Sequence, residues 1–560
     1  MYRLNIILLI VLLPNVHGCT GKPSPKESER PAANEGTTSA RLTPQKKSQR
    51  PQDTIHPAPA SDAGQVVEQG AEVCADCHPG IVENFQKTGM GNSLYRPNDR
   101  PRIESFDPKK ATINHPKSGL TYRAYVDEKG RWWQEETLPG TDYSRRVEAK
   151  YVIGSGNHTR SYLGEVDGEL VELPLTWYSA RAIWDMSPGY EIENHFRFDR
   201  PAKPICLFCH NNLTPADPKR AASYLTDLEE GISCNRCHGD GAAHVKARSE
   251  GVTPKGGAPD PTILNPKHLT PNRQLQICQQ CHLSGVARVL KPGKTWDEYD
   301  PRTPLNDYMS VYTYASDDGA EFSITSHGYR LSLSACFKRS GNALTCTQCH
   351  DPHRRDKVKE TQGACLNCHK MDDCGDKHRA GSGKACASCH MKRGDTSDIP
   401  HVSFTDHFIR VRPEKTQSKS TKQNTKLIDA FATFGSKETP DLTQARLGIA
   451  HARIWRLDGK AEHRPIAREL LRSALNALPT HGEAWQELAL ILKSERKFQE
   501  AAMAFAQAAQ TSGGHHKYRT DEADNLEQLG QIAAAAEVLT QTVEADPKDR
   551  VAWGNLANAL

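Results

Sequence analysis

Seven Cys-x-x-Cys-His pentads constrain this chain more than any other feature. They are Cys74-Ala-Asp-Cys77-His78, Cys206-Leu-Phe-Cys209-His210, Cys234-Asn-Arg-Cys237-His238, Cys278-Gln-Gln-Cys281-His282, Cys346-Thr-Gln-Cys349-His350, Cys365-Leu-Asn-Cys368-His369 and Cys386-Ala-Ser-Cys389-His390. They take up fourteen of the 17 cysteines. A random chain of this composition would hold roughly 0.02 such pentads. Two thiols three residues apart lie on one side of a helical turn and can add to the two vinyl groups of one haem. The histidine that follows then sits under the iron. Zinc ribbons also use Cys-x-x-Cys, but they need two pairs per metal and no histidine after each pair. The pentads therefore predict seven covalently bound c-type haems. Spread over residues 70–412, they leave about 49 residues per haem. So little polypeptide means that the macrocycles supply much of the apolar core.

Each iron needs a sixth ligand unless its site is catalytic. Ten histidines of the haem region lie outside the pentads: His115, His158, His195, His244, His268, His327, His353, His378, His401 and His407. His353 stands three residues past His350, too close to serve the same iron, and is expected to reach a neighbouring haem. His244 follows a Gly-containing turn after His238 and reads the same way. His268 and His327 are the weakest of the ten. Two cysteines remain, Cys336 and Cys374, open to a disulfide, to burial as free thiols or to a functional role. Cys374-Gly-Asp-Lys-His378 lacks the second cysteine of a pentad.

Several stretches resemble the exported bacterial multihaem cytochromes with doubled Cys-x-x-Cys-His motifs that are related to nitrifier tetrahaem electron carriers. They are Thr88-Gly-Met90-Gly, Gly154-Ser-Gly-Asn-His158, Cys234 to His244, Ala335-Cys336-Phe337, Cys346 to His353 and His401-Val-Ser-Phe-Thr-Asp-His407. The resemblance covers about residues 70–412. It implies stacked, mostly bis-histidine haems, with His158, His195, His244, His353, His378, His401 and His407 as distal candidates. Where many such chains carry a histidine after the first pentad, this one has Met90. The thioether there is either a sixth ligand that raises a haem potential or a packing group on the porphyrin edge.

Residues 1–18 read as a lipoprotein signal: Arg3, an apolar run from Ile6 to Leu13, then Val16-His17-Gly18-Cys19. Val16 departs from the usual Leu of the cleavage box. Cys19 is the expected lipidation site. Residues 19–69 are polar, Pro-rich and without apolar periodicity, as in a disordered tether. A turn signal at Asp127-Glu-Lys-Gly130 between Thr121–Val126 and Arg131–Gln134, with Glu169–Pro174 beyond, predicts a small β insertion over about 110–180. Residues 413–440 read as a second polar linker. Residues 441–560 repeat every 34 residues: Ala467, Ala501 and Ala535 align, as do Leu471, Phe505 and Leu539. Trp485 and Trp553, like Pro479 and Pro547, stand two periods apart. This is the tetratricopeptide pattern. The last repeat stops at Leu560 inside a first helix, short of the capping helix that closes a solenoid. The expected fold class is a mainly α and irregular haem core with a small β insertion, joined to an all-α solenoid.

These features predict a periplasmic or cell-surface electron carrier. A lipid anchor would hold it at a membrane, and the repeats would dock a protein partner. The rival is a multihaem reductase of a nitrogen or sulfur oxyanion. Such enzymes often replace a proximal histidine with lysine, and no Cys-x-x-Cys-Lys occurs here. A net charge of +4 is too small for nucleic-acid binding. Each haem brings about −1 oxidised and −2 reduced, so seven move the total to roughly −3 and −10. Redox partners are then expected to dock through basic surfaces.

Overall fold

A computed structural model describes residues 71–217, 220, 222–315, 323–341, 343–355, 363–375, 385–411, 426–431, 439–511 and 516–560. The signal peptide, Cys19, the tether and His378 lie outside the described residues.

The N-terminal half is built on ten strands: β1 Leu94–Tyr95, β2 Thr112–Asn114, β3 Thr121–Val126, β4 Trp132–Thr137, β5 Ser144–Ile153, β6 Thr159–Val166, β7 Glu169–Glu172, β8 Leu175–Tyr178, β9 Ile183–Met186 and β10 Arg200–Pro201. Their order is β10-β7-β6-β5-β4-β3-β2, with β1 on β5, and β8 joined to β6 and β9. Every registered pair is antiparallel. The β3–β4 hairpin forms where the turn signal puts it. Val126 faces Trp132, Asp127 Oδ1 accepts from the amides of Lys129 and Arg131, and Gly130 supplies the positive φ. The β6–β7 turn likewise uses Asp167 and Gly168, both at positive φ.

The sheet runs from 94 to 201, not 110 to 180, and is no small insertion. The outer strands escape the alternation test. All four residues of β8 are buried, so no polar face marks it as a strand. Its core is aromatic, with Tyr122, Trp132, Tyr162, Trp177, Trp184 and Phe198 in one cluster.

Beyond the sheet, one-turn helices such as Asn235–His238 and Ala387–His390 alternate with loops. The longest helix among the described residues of this region is α1, Pro271–His282, which ends on the fourth pentad. Strands β11 (Ala287–Leu290) and β12 (Met309–Tyr314) pair, and β13 (Arg393–Asp395) and β14 (Ser403–Thr405) form a hairpin. Strand β15 (Leu427–Asp429) completes the β11-β12 sheet. It falls inside 413–440, so that stretch is not linker throughout: Ala430 and Phe431 are buried after it.

Among the described residues the C-terminal part holds seven helices: α2 Pro440–Asp458, α3 His463–Ala477, α4 Gly482–Ser494, α5 Phe498–Thr511, α6 His516–Gln528, α7 Ile532–Ala545 and α8 Arg550–Ala559. The 34-residue period is physical. Ala467, Ala501, Ala535, Leu471, Phe505 and Leu539 are all fully buried. Trp485 and Trp553 make the same hydrogen bond, Nε1 to the carbonyls of Pro479 (2.8 Å) and Pro547 (2.9 Å). The helices are not a detached module. Ile449, Ala450, Ala452 and Ile454 of α2 share one apolar cluster with Ala287, Val289, Tyr312 and Leu427. At the other end Arg220 pairs with Asp546 (3.6 Å) and Arg550 with Asp167.

Candidate haem sites

The fourth pentad closes helix α1, and the others are short turns of one or two helical steps. The histidine amide bonds back to the carbonyl of the first cysteine in His78 (2.8 Å), His238 (2.9 Å), His350 (2.9 Å), His369 (2.9 Å) and His390 (3.0 Å). This i to i−4 bond puts both thiols and the imidazole on one side of the turn. His210 bonds instead to Leu207 (2.8 Å).

Ring orientation is set by the backbone. His238 Nδ1 donates to the Leu264 carbonyl (2.8 Å) and His390 Nδ1 to the Arg410 carbonyl (2.7 Å). A carbonyl only accepts, so both rings carry the proton on Nδ1 and keep the Nε2 lone pair for a metal. Burial pushes the pKa of His210, His238 and His282 down, which keeps them neutral. The first pentad opens on a cavity of about 550 Å³ bounded by Cys77, His78, Ile81, Asn84, His353 and Arg354. These features fit covalent haem: paired thiols on one turn, an aimed imidazole, and space beside them.

The pentads also adjoin one another. The thiols of Cys74 and Cys234, of Cys209 and Cys281, of Cys278 and Cys346, and of Cys365 and Cys386 lie close enough for one to shift the other's titration. Arg236, inside the third pentad, and Gln280, inside the fourth, exchange bonds: Arg236 Nη2 to Gln280 Oε1 (2.8 Å) and Gln280 Nε2 to the Arg236 carbonyl (2.9 Å). The fourth pentad, at the end of α1, thus touches the second, third and fifth.

The distal candidates fall into distinct settings. His353 lines the first pentad's cavity, and its ring lies 6.0 Å from that of His238, nearly parallel. His244 is within electrostatic range of His238, and its Nδ1 bonds Asp260 (2.8 Å), leaving Nε2 available. His407 lies 6.1 Å from His350, with Nδ1 bonded to the Thr405 carbonyl (3.1 Å). Burial, then His350, lowers the His407 pKa to about 4. His158 packs on Phe404 (4.0 Å). The Met90 carbonyl accepts the Ile232 amide (3.1 Å), which holds the Met90 segment beside the third pentad.

Two candidates are placed differently from expectation. His195 sits inside the β sheet, stacked on His115 at 4.1 Å. Its Nε2 bonds the Tyr122 hydroxyl (2.6 Å) and its Nδ1 faces the Glu193 carbonyl (3.3 Å), so neither nitrogen is left for iron. His401 gives Nε2 to Asp185 of β9 (2.7 Å) and ties the β13–β14 hairpin to the sheet. Neither Cys336 nor Cys374 forms a disulfide among the described residues.

His327, weakest by sequence, is among the best placed. Its ring is 5.2 Å from His282 and 4.4 Å from His407, and its buried Nδ1 has no hydrogen-bond partner. Burial drives its pKa well down. No sequence signal marked it, because its neighbours come from the fourth pentad and from residue 407. Beside it lies a second group the sequence hid. Arg330 Nε and Nη2 (2.8 and 2.6 Å) and Arg410 Nη1 (2.8 Å) converge on the buried Asp406.

Residues 182–239 match the family described as cytochrome c554 and c-prime. That stretch holds the second and third pentads and, with the other five, supports a multihaem c-type cytochrome. No curated protein matches the chain. Among solved structures, the outer cell wall cytochrome OcwA aligns over 84% of this chain and 99% of its own, at 16% identity and a TM-score of 0.39. The second TPR domain of human RPAP3, solved with an HSP70 peptide, aligns over 21% of this chain and 97% of its own, at 18% identity and a TM-score of 0.20. The O-GlcNAc transferase of Thermobaculum terrenum aligns over 22% and 23%, at 21% identity and a TM-score of 0.20. Scores this low establish no common fold with any of them. Among the described residues no helix is long and apolar enough to cross a membrane.

Proposed function

We propose that this chain is an exported, membrane-tethered electron carrier with seven c-type haems. Cys19 is the lipid anchor, and the solenoid is the docking site for a protein partner. Haem iron supplies one-electron exchange between ferric and ferrous states. The chain's part is to hold it. The pentad cysteines attach it; His78, His210, His238, His282, His350, His369 and His390 face it on the proximal side; and His244, His327, His353 and His407 are the distal groups with the best placement.

The observation that carries this reading is the contiguity of the pentads. Thiols of different pentads adjoin at four points, and Arg236 and Gln280 link the third to the fourth. Sites that adjoin can pass electrons singly from one to the next. A reductase would need an iron open to substrate. An EPR spectrum of the oxidised holoprotein, followed by cyanide titration, tests the choice. The carrier reading expects low-spin signals and no fast cyanide binding. A stoichiometric high-spin haem that binds cyanide at once would favour the reductase.

A further inference from the structure

One buried cation beside the second pentad is left over by the packing just described. Arg288, on β11, is only 7% exposed. Its Nη1 lies 3.2 Å from Cys209 Sγ, a thiol here and a thioether once haem is attached. Its Nη2 donates to the Leu283 carbonyl (3.2 Å). Its Nε is buried with no hydrogen-bond partner. A guanidinium donor in that position costs free energy unless an acceptor meets it.

The same residue is held from behind by the solenoid. Arg453 of α2 donates to the Arg288 carbonyl and pairs with Glu483 of α4. Ala287 and Val289, flanking Arg288, are buried in the cluster that contains Ile449 and Ile454 of α2. Alternate residues of a strand face opposite ways. The flanking pair therefore packs into the solenoid, and Arg288 points away from it toward the pentad.

We propose that Arg288 is the cationic partner of the haem attached at Cys206 and Cys209, and that the first solenoid helix positions it there. The solenoid is then part of a redox site as well as a docking surface. A fixed positive charge in a dry site favours the reduced, more negative haem. Arg288 therefore raises that haem's midpoint potential. Arg453 is a positioning residue that acts through Arg288.

The inference rests on haem being present at the second pentad, so the test begins with the mass of the peptide spanning Cys206 to His210. A bare peptide in the wild type would refute the haem assignment itself. With haem present, spectropotentiometric titrations of R288Q, R288K and R453Q holoproteins decide the rest. R288Q is expected to lower one of the resolved midpoints by at least a tenfold change in the one-electron equilibrium, 59 mV. R453Q lowers the same midpoint by less, and R288K restores it. Unchanged midpoints in R288Q overturn the proposal. If R288Q fails to mature, R453Q decides alone: a lowered midpoint supports the proposal and an unchanged one overturns it.

Discussion

Asp406→Asn removes one negative charge from a place where two positive charges depend on it. The Asp406 side chain is fully buried, and Arg330 and Arg410 are 3% and 8% exposed. Both guanidinium groups also lie against Phe408, at 5.7 and 4.4 Å from the ring centre. Neither can swing to solvent without opening this packing. Loss of one partner of a buried ion pair costs about 3–5 kcal/mol, because the other charge is left uncompensated. In a cooperative unit of this size the melting temperature should fall by about 3–5 °C. The effect should also reach the haem. The Arg410 carbonyl orients His390, and His407 follows Asp406 directly. The assay is thermal unfolding of wild-type and D406N holoprotein followed by haem absorbance, with EPR at low temperature. The expected result is the lower melting point together with a new high-spin fraction. A melting point within about 2 °C of wild type, with an unchanged spectrum, would refute the reasoning.

Three further outcomes are expected. Burial pushes the Glu136 carboxyl up, but hydrogen bonds from Arg197, Tyr122 and Tyr143 outweigh it and hold the pKa below the ordinary value. Its stabilisation is complete above the unfolded pKa of about 4.3 and is lost as pH falls through the lower folded value; urea melts of E136Q should therefore differ most from wild type at neutral pH and converge with it in acid. The oxidised holoprotein should focus as an acidic protein, and a band at or above the polypeptide's own pI of about 8.2 would show that the haem propionates are neutralised. Cys19→Ser should move the protein from the membrane to the soluble exported fraction, and unchanged partitioning would remove the lipid anchor from the account.

What the sequence revealed was local. A pentad is one turn long, so its chemistry is complete in five residues. The 34-residue period is a packing rule between adjacent helices, and Ala467, Ala501 and Ala535 obey it with full burial. The hairpin at Asp127–Gly130 needed only its own turn. What stayed hidden was assembled from afar. Strand β8 has no exposed face to give an alternating pattern, and β15 is a three-residue strand in a polar stretch, defined by its pairing with β12. The histidines separate for the same reason. His195 and His327 look alike in sequence, yet one is spent on Tyr122 and the other lies between His282 and His407. Arg288 reads as an ordinary strand arginine until β11 is set between α2 and Cys209.

The haem count tests the central claim most directly. Intact mass spectrometry of the protein, expressed with a full c-type maturation system, should give the processed polypeptide plus seven haems. Fewer than seven, with any pentad cysteine still free to alkylate, would contradict the account.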